Sequence, residues 1–140
     1  MIKYIQSFCE SLGNYGCYFF CLIDIAKRVT GREYNVIEVA EYCIKQHWIE
    51  FNFNNYKDSN NFFIQNPTII LEYLTGLDWS VKKETASYKK MDGDYIVELW
   101  LAPGYDGHFA RLESDYNSLQ RSFNIEKGKI VSYRVFKILD

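Results

Sequence analysis

The sequence predicts an α+β fold: helices first, strands later, with a buried central helix packed on a mostly antiparallel C-terminal sheet. Three observations point to it. Residues 1–76 carry apolar side chains at helical spacing. Residues 77–140 carry short apolar runs separated by Gly-containing turns. The 140 residues are 48% hydrophobic and 18% aromatic, enough large side chains to fill the core of a single domain over 1–140.

Ile2, Ile5, Phe8, Cys9 and Leu12 predict a short helix over 2–12, ended by Gly13. A second helix begins near Cys17 and runs to about Thr30, where Gly31 stops it. Phe19, Phe20, Leu22, Ile23, Ile25, Ala26 and Val29 cover most of its circumference, the pattern of a helix packed on several sides. Asn35 caps a third helix over 36–47, with Val36, Val39, Ala40, Cys43 and Ile44 as its inward stripe. The Asn-rich stretch 48–65 reads as an irregular connection holding a short extended piece. Asn66 caps a further helix over 67–75, Pro67 takes its first turn and Gly76 closes it.

The rest predicts strands at Trp79–Lys82, Tyr95–Leu101, His108–Leu112 and Lys129–Ile138. Asp92-Gly93, Pro103-Gly104, Asp106-Gly107 and Lys127-Gly128 supply the turns.

Charge and composition narrow the function. The formal net charge is −2, and the basic pairs Lys82-Lys83 and Lys89-Lys90 read as solvated strand edges, so no nucleic-acid partner is expected. Residues 1–7 lack the apolar core of a signal peptide, and no run reaches the ~18 apolar residues of a membrane span, so a cytoplasmic protein without a membrane partner is expected. Cys9, Cys17, Cys21 and Cys43 all lie in the first third, with no Cys-x-x-Cys pair, so neither a disulfide framework nor a metal is expected. No organic cofactor is expected.

Two positions carry chemistry. Cys17 follows the turn-prone string Gly13-Asn14-Tyr15-Gly16 and opens the most apolar helix; His108 follows Gly107 at the front of a strand. A thiol needs ionisation to become a nucleophile, and a helix N-terminus and a nearby imidazolium both favour the thiolate. His108 would then protonate the leaving group as general acid. Its second ring nitrogen needs a holder. Asp115 and Asn117 both follow closely enough, and an Asn suffices because such a pair does not require an ionised third member. The backbone N–H of Cys17, with Asn14 or Gln6, would hold an oxyanion. The competing reading makes Cys17, like Cys21 and Cys43, a small core hydrophobe and His108 a satisfied polar residue. His47, beside Trp48 at a helix end, reads as a partner of the helix dipole. Trp48, Trp79 and Trp100 read as packing residues.

The string Cys17-Tyr18-Phe19-Phe20-Cys21-Leu22 resembles the active-site helix of papain-like cysteine peptidases, especially the branch that processes bacteriocin leader peptides. Gly107-His108-Phe109 resembles the Gly-His-Phe of that branch's catalytic strand. The chain is also similar, over nearly its whole length, to a small uncharacterised family of phage and bacterial proteins. The matching stretches are Leu12 to Phe19, Trp48-Ile49, Asn66 to Leu71, Gly107 to Phe109, Tyr116 to Leu119 and Gly128 to Phe136.

The resemblance implies a papain-like domain with a Cys17-His108-Asn117 triad. Asn117 is favoured over Asp115 because it stands where the leader-processing branch has the Asp of its turn. One departure is plain: Ser11 occupies the position, six residues before the nucleophile, where papain-like enzymes place a Gln. The implied activity is thiol-dependent cleavage of a peptide or related amide bond in a peptide or protein substrate. The alternative is an inactive papain-like binding module, such as a phage-encoded protein that occupies a host factor. Ser11 and the many Tyr residues support that second reading.

Overall fold

Among the described residues, three helices and a two-stranded ribbon are followed by a four-stranded antiparallel sheet. The computed structural model describes residues 17–51, 63–102, 105–111 and 128–139, with residues 102 and 105–111 as backbone alone. The expected helix over 2–12 lies outside the described residues. The chain divides into two units, Met1–Gly76 and Leu77–Asp140.

In the first unit, helix α1 spans Cys17–Thr30. Its core side consists of Phe19, Cys21, Leu22, Ile23, Ile25 and Ala26, all buried. Phe20 departs from the sequence expectation: it is 40% exposed and interrupts the apolar circumference. Gly31 ends the helix in the left-handed region (φ 72°), and its N–H bonds the Lys27 carbonyl at 2.8 Å. Helix α2 spans Val36–Lys45, and its cap Asn35 accepts from the Glu38 N–H at 3.1 Å. Of its inward stripe, Ala40 and Cys43 are fully buried; Val36, Val39 and Ile44 are half-buried.

The sequence extends α2 to residue 47, but the helix stops at Lys45. His47 takes φ 63°, its N–H bonds the Ile44 carbonyl at 3.0 Å, and the Trp48 N–H bonds the Cys43 carbonyl at 2.9 Å. This is a Schellman stop with histidine where glycine usually stands.

The turned chain enters strand β1 (Ile49–Glu50), which pairs antiparallel with β2 (Phe63–Ile64). Gln65 closes the ribbon: its N–H bonds the Trp48 carbonyl at 2.8 Å and its side chain donates to Glu50. Helix α3 spans Pro67–Thr75, with the Asn66 side chain accepting from the Ile69 N–H and Gly76 closing it at φ 74°. Ile70, Leu71 and Leu74 form its buried side, and it packs on α1. Tyr34 ties the two helix ends together: its hydroxyl donates to the Leu74 carbonyl at 2.9 Å and lies 2.9 Å from the Thr30 hydroxyl.

The second unit is the sheet, in the order β3-β6-β4-β5: β3 (Trp79–Thr85), β4 (Tyr95–Ala102), β5 (Tyr105–Arg111) and β6 (Lys129–Ile138). The last strand is inserted between β3 and β4, and its adjacent Val135 and Phe136, on opposite faces, are both buried. Ile96 and Val97 are likewise buried on opposite faces of β4. Trp79 and Tyr95 meet edge to face at 5.4 Å.

The link from β3 to β4 is held by Asp94. Its carboxylate accepts from the Tyr88 hydroxyl at 2.6 Å and the Met91 N–H at 2.9 Å, with Lys137 Nζ at 3.5 Å. Burial pushes the Asp94 carboxyl up, but these bonds and the Lys137 charge outweigh it and hold it below its ordinary value. The same bond pushes the Tyr88 phenol up to about 12.

One expected turn is not there. Asp106-Gly107 lies inside β5, because the pairing of Ala102 with Tyr105 leaves only residues 103–104 between the strands. His108 therefore stands mid-strand rather than at a strand start.

Candidate functional site

Cys17 is the first residue of α1 and is half-buried. Of the residues at helical spacing from it, Phe20 and Lys27 are exposed and Asp24 is half-exposed, while Cys21 is buried. Cys17 thus stands at the border between the buried and the exposed side of the helix. It also sits where the helix concentrates its unsatisfied N–H groups and positive dipole end, a setting that favours thiolate.

The other described cysteines contrast with it. Cys21 is 1% and Cys43 0% exposed. Burial pushes the Cys43 thiol up to about 12, which leaves it inert at neutral pH. All three are thiols rather than disulfides.

His108 lies on β5, the outer strand of the sheet beyond β4, where the register sets it opposite Trp100. Two irregularities in the ladder converge there. The β4–β6 register shifts between Leu99 and Trp100, and the β4–β5 register shifts between Trp100 and Ala102. Bulges of this kind bend a strand and re-aim its side chains, and they concentrate beside functional sites.

Next to this position is a buried acid that the sequence reading passed over. Glu98 is 6% exposed and accepts from the Trp100 indole N–H at 3.2 Å. Burial pushes its carboxyl above the ordinary value, against the smaller opposing effect of the indole bond. Tyr133, opposite Glu98 on β6, is itself pushed up by burial and by the Glu98 charge. A signal was present in the sequence: Glu98 is the single charged residue in the apolar strand run from Tyr95 to Leu101.

Cys17 belongs to the first unit and His108 to the second. Asn14, Gln6, Asp115 and Asn117 lie outside the described residues, as do Cys9 and Ser11. His47, the other histidine, is exposed and serves as the stop of α2. Among the described residues, no three of His, Cys, Asp and Glu cluster in the way a metal would need. Among them, too, no helix is long and apolar enough to cross a membrane.

A separate surface feature is aromatic. Tyr42 of α2 and Tyr73 of α3 stack at 4.4 Å and 9°, and Trp48 meets them at 5.6 and 5.7 Å. Tyr73 is 48% exposed, so part of this cluster faces solvent.

A family model described as a protein of unknown function, DUF261, matches residues 4–138. No curated protein and no solved structure matches the chain.

Proposed function

We propose, for a chain that belongs to the DUF261 family of proteins of unknown function, a papain-like thiol hydrolase acting on a peptide or related amide bond. The observation that carries this reading is the place of Cys17: first residue of a core helix, half-buried at the border of its exposed side, while Cys21 and Cys43 are sealed inside. In the proposed reaction His108 takes the proton of the Cys17 thiol. The sulfur attacks the carbonyl carbon, and the tetrahedral oxyanion is held by the Cys17 backbone N–H and Asn14. The C–N bond then breaks, and His108 gives its proton to the departing amine. Water cleaves the thioester and regenerates the thiol. The second ring nitrogen of His108 is held by a third group, for which the sequence offers Asn117 or Asp115.

The test is alkylation at neutral pH followed by peptide mass spectrometry. Cys17 is expected to react well ahead of Cys9, Cys21 and Cys43, and its rate to fall in His108→Ala. Uniform slow labelling of all four refutes the hydrolase.

The half-exposed Tyr42–Trp48–Tyr73 cluster favours a second reading, a papain-like binding module, perched on the aromatic side chains that interfaces favour. On that reading, substituting Tyr73 weakens partner capture while Cys17→Ser leaves it intact.

A further inference from the structure

We infer that the Tyr42–Trp48–Tyr73 surface of the first unit docks a basic, arginine-bearing segment of a partner protein; this rests on the binding-module reading above and names the chemistry of the partner. Tyr42 stands on α2, Trp48 in the turn that leads into β1, and Tyr73 on α3. Tyr42 and Tyr73 lie parallel, 9° apart at 4.4 Å, so each covers one face of the other. Trp48 meets the stack from the side, at 5.6 Å from Tyr42 and 5.7 Å from Tyr73. Tyr73 nevertheless keeps 48% of its surface in water. Two stacked rings braced by a third make a platform, not a cage. A round quaternary ammonium needs a cage of rings, whereas a planar guanidinium stacks flat on a single aromatic face.

The charges around the rings select for a cation. Helices α2 and α3 and strands β1 and β2 carry Glu38, Glu41, Glu50 and Glu72 against Lys45. Glu38 lies one helical turn before Tyr42, and Glu72 directly precedes Tyr73. Glu50 is two residues beyond Trp48 on the chain entering β1, so the two share a face, while Ile49 between them is 1% exposed. Phe63, opposite Glu50 on β2, is 55% exposed and extends the apolar part of that face. Glu38, Glu41 and Glu50 are exposed and Glu72 is half-buried. None of the four takes part in an ion pair among the described residues. Glu50 accepts from the Gln65 side chain, which leaves its charge uncompensated. Carboxylates so placed repel a phosphate-bearing partner, whether nucleic acid or anionic lipid, and draw in a basic one. An arginine suits both halves of the surface: its flat face stacks on a ring, and its N–H edge bonds a carboxylate in the same plane.

The test is an NMR titration of the full isotope-labelled chain with a Ser-Arg repeat peptide and with matched peptides carrying citrulline or glutamate for arginine. The indole N–H of Trp48 reports from the surface, and that of Trp79, 3% exposed, is the internal reference. The arginine peptide is expected to move the Trp48 signal and the Tyr42 and Tyr73 backbone signals to saturation and to leave Trp79 in place. Citrulline, which keeps the shape without the charge, is expected to bind at least about ten-fold more weakly, and Tyr73→Ala to weaken the arginine peptide by about as much, the loss of an interface hot spot. Should Tyr73→Ala not fold, Glu38→Gln with Glu50→Gln serves: these exposed substitutions are expected to weaken the arginine peptide and reduce its sensitivity to salt. Equal binding of the arginine and citrulline peptides, or preference for glutamate, overturns the basic partner and leaves a binding module of another specificity. A Trp48 signal that no peptide moves removes the docking surface itself. Movement of Trp48 by anionic lipid vesicles, or with chain concentration alone, overturns the inference in favour of a membrane or a second copy.

Discussion

Phe19 and Phe20 are neighbours on α1, yet the first is 0% and the second 40% exposed. Truncating each to alanine reads out how the helix is turned, and with it the side on which Cys17 emerges. Phe19→Ala removes a fully buried ring and leaves a cavity, so it is expected to cost about 3–5 kcal/mol. Phe20 has little more than half its surface covered; burying a whole Phe contributes about 1.5–3 kcal/mol, so Phe20→Ala is expected to cost about 1–2 kcal/mol with no sealed cavity added. The gap of about 2 kcal/mol is roughly thirty-fold in the ratio of folded to unfolded chains and is readily resolved. Urea titrations followed by circular dichroism measure it, compared through midpoints at equal slope. Equal losses, or a larger loss at Phe20, mean that α1 is rotated from the orientation described. Cys17 would then lie on the core side with Phe20, and the case for a nucleophile would go with it.

Three further outcomes follow. At pH 7 a thiol pushed up to about 12 holds one thiolate in about 100,000, against about one in thirty for an ordinary cysteine, so Cys43 is expected to alkylate at least about a thousand-fold more slowly than Cys17; labelling time courses by mass spectrometry check this. His47→Gly relieves the left-handed backbone at φ 63° and is expected to gain about 0.5–1 kcal/mol in urea titrations, the left-handed penalty less the extra chain entropy of glycine; a loss would mean that the histidine ring supports the stop. Asp94 is held below its ordinary value in the folded chain, so its contribution is fully present above the unfolded value of about 3.9 and fades as pH falls through the lower folded one. Urea midpoints followed down the acid range are expected to fall more steeply in the parent than in Asp94→Asn.

How far the sequence discloses this structure depends on whether a signal is local. Asn35, Asn66, Gly31 and Gly76 mark helix ends through bonds within one turn of chain, and each acts as its residue type predicts. His47 carries no such mark: the stop of α2 depends on the Trp48 N–H reaching the Cys43 carbonyl. The dipeptides Pro103-Gly104 and Asp106-Gly107 both signal a turn, and only the pairing of Ala102 with Tyr105 decides against the second. Strand β3 runs on through Lys83, Glu84 and Thr85 because β6 is long enough to pair with them, which an outer strand's polar sequence does not reveal. For the candidate site, the positions of Cys17 and His108 in a helix and a strand were legible. That Cys17 borders the exposed side of its helix was not, because Phe20 reads as a core residue. Glu98 was hidden differently: an acid inside an apolar run was visible, but its burial follows from the strands on either side of it.

The central claim is that Cys17 and His108 form a thiol–imidazole pair. Ultraviolet thiolate absorbance followed against pH, with Cys17→Ser subtracted, tests it in the parent chain and in His108→Ala. The account predicts that Cys17 ionises well below the ordinary cysteine value of about 8.5 and that His108→Ala returns it toward that value. Ionisation at or above the ordinary value, unmoved by the loss of His108, would contradict the pairing.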